Sequence, residues 1–143
     1  MPVAVKRVYE SVARADGARV LVDRLWPRGL RKDDIALDEW LRDLAPSNEL
    51  RKWFHAQPEH WLMFRKRYLK ELARPEAVED LKKLYALAHK RKRVTLLYAS
   101  KNEEHNNAVV LKELLDGMRK PPTGTGPGAL RAMRARDAAI RRR

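Results

Sequence analysis

One short stretch, Val20–Gly29, combines residue types that could bind or transform a charged ligand. An apolar run stops at Asp23, and Arg24 and Arg28 then flank a Trp-Pro pair. Two guanidinium groups can hold a phosphate or carboxylate through paired hydrogen bonds beside Trp26, while Asp23 acts as a base or orients Arg24. Alternatively, Asp23 and Arg24 pair with each other or cap nearby backbone, and Trp26 packs as a corner. The residues leave both interpretations open.

A second polar stretch follows the apolar run Val94–Ala99. Ser100 or Asn102 could cap a helix that we predict over about residues 103–118, which leaves free backbone N–H groups near Lys101. A helix amino terminus beside a lysine suits an anion, although no glycine-rich phosphate loop accompanies it. An ordinary capped helix, with Lys101 in solvent, explains the same residues equally well.

The same stretch contains two asparagines and a histidine near the predicted helix start. Asn106 and Asn107 are unfavourable in the first turn of a helix, which indicates a hydrogen-bonding role, for example toward the loop that holds Asp23. His55 or His105 could act as a general acid or base, and His105, the only histidine near a predicted strand end, joins Asp23 as a candidate catalyst. A surface or packed histidine is the simpler interpretation. No spacing typical of a metal site occurs, and we expect no metal or cofactor; the other histidines are His55, His60 and His89.

Several aromatic side chains could form a platform for stacking nucleic-acid bases. Their spacing matches the apolar stripes of helices, however, which is typical of a protein core. Trp26 and Trp53 lie next to polar residues and are the two best placed to stack. The others are Trp40, Trp61, Phe64 and Tyr68.

The composition limits the class of protein. The chain has 143 residues, a formal net charge of +13 and no cysteine, which excludes disulfides and thiol catalysis. Residues 119–143 carry eight basic side chains and one acidic one, so this tail supplies +7 of the charge. No apolar run is long enough for a membrane span and no signal-peptide pattern opens the chain, so we expect a cytoplasmic protein.

The hydrophobic pattern predicts one α/β domain over residues 1–118 and a basic, flexible tail over residues 119–143, which includes a Pro/Gly linker at 121–128. A small, mainly parallel sheet of about three core strands is flanked by several helices in a three-layer arrangement. The predicted strands are Val3–Tyr9, Ala18–Leu25 and Val94–Ala99, the last apolar on both faces and therefore central. A helix is predicted over residues 33–44, where Leu37, Trp40, Leu41 and Leu44 have helical spacing, and further helices begin at Ser47, Pro58 and Pro75.

Long spaced blocks of this chain resemble the DUF488 family, in its YeaO-like branch, over about residues 3–118. The blocks are Val22–Gly29, Glu49–His55 and Leu96–Asn102, continued by Trp61, Phe64, Arg67, Tyr68, Glu71, Leu72, Asn106, Asn107, Ala108 and Leu111. The resemblance implies a compact α/β domain of uncharacterised function with its first two strands parallel. By length alone, the connection Glu10–Gly17 favours a hairpin. The wider family has Cys-His-Arg where this chain has His105-Asn106-Asn107, so thiol chemistry is not transferred to it.

The residues favour a pocket at the carboxyl ends of the strands that binds a small anionic or phosphate-containing ligand, with or without catalysis. Candidate catalytic residues are Asp23 and His105, and candidate ligand-binding residues are Arg24, Trp26, Arg28, Lys101, Asn102 and Asn106. The alternative is a non-enzymatic module that binds nucleic acid through the basic body and tail without sequence specificity, since no base-reading motif occurs. A protein-interaction domain is a third possibility, and the oligomeric state is not indicated.

Overall fold

The computed structural model describes residues 2–122, which form one parallel β-sheet with helices packed on it. All strand pairings are parallel, and the strand order is β1-β4-β2-β3. The central position of β4, predicted from its apolar residues, is confirmed. The strands are β1 (Val3–Arg7), β2 (Ala18–Leu21), β3 (Glu39–Trp40) and β4 (Val94–Tyr98).

Five α-helices lie along the same chain segment, together with two short 3-10 turns at Arg14–Asp16 and Arg42–Leu44. Two of the predicted start signals are confirmed. The Ser47 hydroxyl accepts the Leu50 N–H at 3.1 Å, and Pro75 occupies the first turn of its helix, where its missing N–H costs nothing. None of the described helices is both long and apolar enough to cross a membrane. The helices are α1 (Lys32–Ile35), α2 (Asn48–Ala56), α3 (Trp61–Glu71), α4 (Pro75–Arg91) and α5 (Asn107–Gly117).

The connection between β1 and β2 returns the chain to the start of the sheet without a helix. Both strands run parallel to β4, which lies between them, as the family resemblance implied and in contrast to a hairpin. The ten residues Val8–Gly17 span about 33 Å when extended, against about 17 Å for a five-residue strand, so they are long enough. Gly17 ends this connection with φ +65°, and a Cβ there would lie 2.5 Å from the Arg93 carbonyl oxygen.

The helix predicted over residues 33–44 is wrong. Helix α1 ends at Ile35, because Ala36 adopts the left-handed conformation with φ 54°, and Glu39–Trp40 pairs with the outer edge of β2. The Asp38 carboxylate accepts the Arg19 N–H at 2.8 Å and so extends this attachment. Pairing with the open edge of β2 therefore overrides the helical spacing of the apolar residues.

The sheet is covered on both faces, which gives the three layers that the sequence predicted. The helices α2 to α5 and one face of the strands enclose the larger core. On the other face, Leu21 and Leu97 pack against Ile35 and its neighbours. Trp26 belongs to this second core, because its ring lies edge-on to Trp40 at 5.3 Å and its Nε1 donates to the Leu30 carbonyl at 2.7 Å.

Candidate functional site

Asp23 joins the ends of the two inner strands. It comes two residues after β2, and its carboxylate accepts the N–H of Ala99, just beyond β4, at 2.9 Å. The side-chain amide of Asn107 donates to the other Asp23 oxygen at 3.1 Å and to the Val22 carbonyl at 2.9 Å. The hydrogen bonds expected between the asparagine pair and the Asp23 loop are thus confirmed for Asn107. They fix the carboxyl ends of the strands against the start of α5.

Helix α5 begins later than predicted. Its first residue is Asn107, and Asn106 is the cap, because its side-chain oxygen accepts the Val109 N–H at 3.0 Å. The capping role expected of Ser100 or Asn102 is therefore wrong. Asn102 closes a turn of its own by accepting the N–H of Glu104 at 3.1 Å and of His105 at 3.0 Å. The backbone near Lys101 is a loop and not a helix terminus.

Two arginines lie close to Asp23. The half-buried Arg24 donates to the carbonyls of Ala45 at 3.3 Å and Pro46 at 3.4 Å, and the charge of the exposed Arg51 on α2 acts on Asp23. Within residues 2–122, neither guanidinium takes part in an ion pair. Asp23 and Arg24 thus bond to neighbouring backbone and not to each other, as the simpler interpretation of the sequence expected.

Burial dominates the electrostatics of this corner. It raises the pKa of Asp23, and the Ala99 N–H, the Asn107 amide and the nearby Arg51 charge offset only part of the increase. The hydroxyl of the fully buried Tyr68 donates to the Leu44 carbonyl. Burial, and then the charge of Asp23, raise the pKa of Tyr68 well above its ordinary value. Charged side chains thus border a water-poor region.

A contact between α2 and α3 positions Arg51. The Glu71 carboxylate of α3 accepts the Ser47 N–H at 2.7 Å and the Ser47 hydroxyl at 2.6 Å. Because Ser47 caps α2, these bonds fix the start of that helix, and Arg51 follows one turn later. The position of Arg51 is therefore set by the fixed start of α2 and not, within residues 2–122, by a hydrogen bond of its own side chain.

An aromatic wall adjoins the polar corner. The half-buried His105 stacks on Trp61 with ring centroids 4.4 Å apart and planes within 13°. Trp61 in turn lies 5.8 Å from Phe54 of α2, which stacks on the buried Phe64 at 4.3 Å. Most of these rings belong to the core, as their spacing predicted, but His105 and Trp61 keep part of their surface exposed.

Other predicted site residues lie apart from Arg24. Arg28 is exposed, and its carbonyl accepts the Tyr9 hydroxyl at 3.0 Å. Arg7 lies over the Tyr9 ring at 5.1 Å and donates to the carbonyl of the residue before Lys101 at 3.0 Å. Arg28 and the exposed Lys101 therefore both border the end of β1, whereas the Arg24 guanidinium reaches toward the start of α2.

Sequence reasoning missed Arg51. An exposed arginine one turn into a helix is indistinguishable, in sequence, from an ordinary solvated side chain. Two signals were available: the cap at Ser47, which fixes the position of the helix, and the family block Glu49–His55, which contains Arg51 but gives it no role. Among residues 2–122, no group of three or more metal-binding side chains is arranged to hold an ion.

The fold is that of a small parallel α/β domain, and the comparison with known families gives its class. The family model described as "Inactive DUF488-N3 subclade" matches residues 2–123, and the chain belongs to this family. It is 48% identical to the uncharacterised protein YeaO of Escherichia coli over 115 residues, which are 80% of this chain and 97% of YeaO. It is 46% identical to uncharacterised proteins of Mycobacterium bovis and Mycobacterium tuberculosis, over 80% of this chain and 94% of theirs. No solved structure matches the chain.

Proposed function

We propose that the domain binds a small anionic or phosphate-containing ligand at the corner formed by Asp23, Arg24, Arg51 and Asn107. One observation carries the proposal: Arg24, which follows Asp23, and Arg51, whose charge acts on Asp23, are both without an ion pair in the described residues, and the Asp23 carboxylate is already held by other donors. Guanidinium groups in such a setting suit bidentate recognition of an oxyanion.

Binding without turnover is the form of the function that these contacts favour. Both oxygens of Asp23 already accept hydrogen bonds, so its carboxylate holds the strand ends together. The description of the family as inactive agrees with a site that recognises its ligand and leaves it unchanged. His105, the second candidate catalyst, stacks on Trp61 and contributes its ring surface instead.

Titration with inorganic phosphate, followed by calorimetry and by the melting temperature, tests the proposal. A ligand that binds only the folded state raises its stability, so phosphate should raise the melting temperature more than chloride at equal ionic strength. Arg51→Gln should abolish most of this gain. Lys52→Gln is the matched control, because it removes the same charge from the adjacent exposed position of α2. Equal losses in both variants, or no gain over chloride, would contradict the proposal.

A second candidate function, nucleic-acid binding without sequence specificity, is favoured by the exposed side of α2 and α3. Residues 48–74 expose six basic side chains and two acidic ones. Arg67 lies over the half-buried Trp53 ring at 4.4 Å, and His60 stacks near the same ring at 6.0 Å. Such a basic surface with aromatic rings suits a phosphate backbone.

The affinity for a labelled single-stranded oligonucleotide, measured across a salt series, tests this second candidate. We expect affinity to fall steeply with salt, and to fall further in the variant Lys52→Gln/Lys70→Gln. A chain ending at Gly117 separates the body from the tail, most of which lies outside the described residues. Binding that ignores salt, or that is absent, would exclude this function.

A further inference from the structure

We infer that the ligand of this corner carries a flat aromatic ring as well as its anionic group, as a nucleoside monophosphate does. The inference rests on the proposed function, since it needs the anion site at Arg24 and Arg51. It adds a second part to that site, the exposed surface of the stacked pair His105 and Trp61. The two parts together define a class of ligand.

Contacts through Asn107 and through Phe54 connect the aromatic pair with the corner that holds the arginines. On one side, Asn107 is bonded to Asp23 and lies only two residues after His105. On the other side, Trp61 lies 5.8 Å from Phe54, which follows Arg51 by three residues in α2. These contacts connect Asp23 through Asn107 to His105, and they connect Trp61 through Phe54 to the helix that carries Arg51.

The spacing matches a ligand with two recognition groups. Three residues of helix separate the backbones of Arg51 and Phe54 by about 4.5 Å along the axis, so the arginine and a ring of the aromatic wall leave α2 within about one turn of each other. A phosphate at the arginines therefore places the rest of a mononucleotide beside the rings. A metabolite with a phosphate but no ring would leave the aromatic wall unused.

The geometry of the stack also favours a planar ligand. His105 is held from below by Trp61, with planes only 13° apart, and its backbone N–H is fixed by Asn102. Such a supported ring offers a rigid flat surface at low entropic cost, and bases of any type can stack on it. The inference therefore specifies a nucleotide-like ligand without specifying its base.

Calorimetry with adenosine monophosphate, ribose 5-phosphate and inorganic phosphate tests the inference on the full chain. The monophosphate should bind about 5- to 150-fold more tightly than ribose 5-phosphate, which is the usual contribution of one base stacked on an aromatic side chain. His105→Ala should remove most of that difference and leave ribose 5-phosphate affinity unchanged. His105→Phe keeps a flat ring and should restore tight binding.

The outcomes separate the inference from the proposed function. If the three phosphates bind with equal affinity, or if His105→Ala weakens all of them alike, the aromatic part is overturned and the anion site stands. If Arg51→Gln changes no affinity, the anion site is overturned, whatever the ring contributes. If no phosphate binds, both are overturned. Weak binding by His105→Phe would also contradict the inference, because the planar surface would then not be what matters.

Discussion

An aspartate lies beside each end of β2, Asp16 buried and Asp23 half-buried, and the two acids are held in opposite ways. Asp16, just before the strand, pairs with Lys6 at 3.1 Å and with Arg19 at 2.5 Å. Asp23, just after it, accepts hydrogen bonds from a backbone N–H and from an asparagine amide, both neutral. At the first end of the strand, Lys6 and Arg19 neutralise the charge of Asp16. At the other end, among the described residues, neither nearby arginine forms an ion pair with Asp23.

The pKa values of the two acids express this difference. Burial raises the pKa of Asp16, but the Ala13 N–H and the cations Lys6 and Arg19 outweigh it, so the pKa is lowered overall. Burial raises the pKa of Asp23 too, and there the weaker donors do not outweigh it. Cationic partners thus make the acid at one end of the strand a stabilising group, whereas neutral partners leave a perturbed acid at the other. Perturbed groups of the second kind are the ones found at binding sites.

The largest effect in this comparison is expected from Asp16→Asn. Arg19 is only 3% exposed, and its Nη2 has no hydrogen-bond partner among residues 2–122, so the variant leaves a buried cation without its counter-charge. Breaking a buried ion pair in this way costs about 3–5 kcal/mol, measured as the free energy of unfolding in urea. Asp116→Asn is the matched control: its ion pair with Lys112 is exposed, and the cost should stay below about 1 kcal/mol. Equal losses would mean that the Asp16 network does not differ from a surface pair.

A smaller effect is expected from Asn107→Ala, which acts at the other end of the strand. The variant removes donors from the Val22 carbonyl and from Asp23, and leaving buried acceptors unsatisfied costs about 1–3 kcal/mol. It should also raise the pKa of Asp23 further, which an NMR titration of its carboxyl carbon would detect. Asn106→Ala, which removes the helix cap, should cost about 1 kcal/mol and leave the Asp23 titration unchanged. An unaltered Asp23 titration in Asn107→Ala would contradict the assigned contact.

Local sequence predicted the parts of the fold that depend on one element at a time. The apolar residues of β4 identified the central strand, and Ser47 and Pro75 marked helix starts. The hydrogen bonds of Asn107 were also foreseeable, because an asparagine in a first helical turn needs a reason to be there. These signals all lie within a few residues of the feature that they predict.

Features that depend on distant partners were not predictable in this way. The residues around Trp40 have helical spacing, yet they pair with the open edge of β2, which lies about twenty residues earlier in the chain. Arg51 acts on Asp23 from a helix whose start is held by the distant Glu71. In each case the deciding interaction is tertiary, and the local sequence pattern does not predict it.

The smallest effect concerns pH, and its sign distinguishes the two acids. In the unfolded chain both carboxyls titrate near pH 3.9. Because the folded pKa of Asp16 is lowered, its contribution to stability is complete above the unfolded pKa and is lost as the pH falls through the folded pKa. The loss of unfolding free energy in Asp16→Asn, relative to the parent chain, should therefore shrink below about pH 4. The folded pKa of Asp23 is raised, so the native protein gains stability as the pH falls through that pKa toward 3.9. An asparagine at this position binds no proton and brings no such gain. The deficit of Asp23→Asn should consequently grow over that window. Urea midpoints of both variants and the parent chain from pH 7 to pH 3.5 provide the measurement, and deficits that change in the same direction would remove the distinction between the two ends of β2.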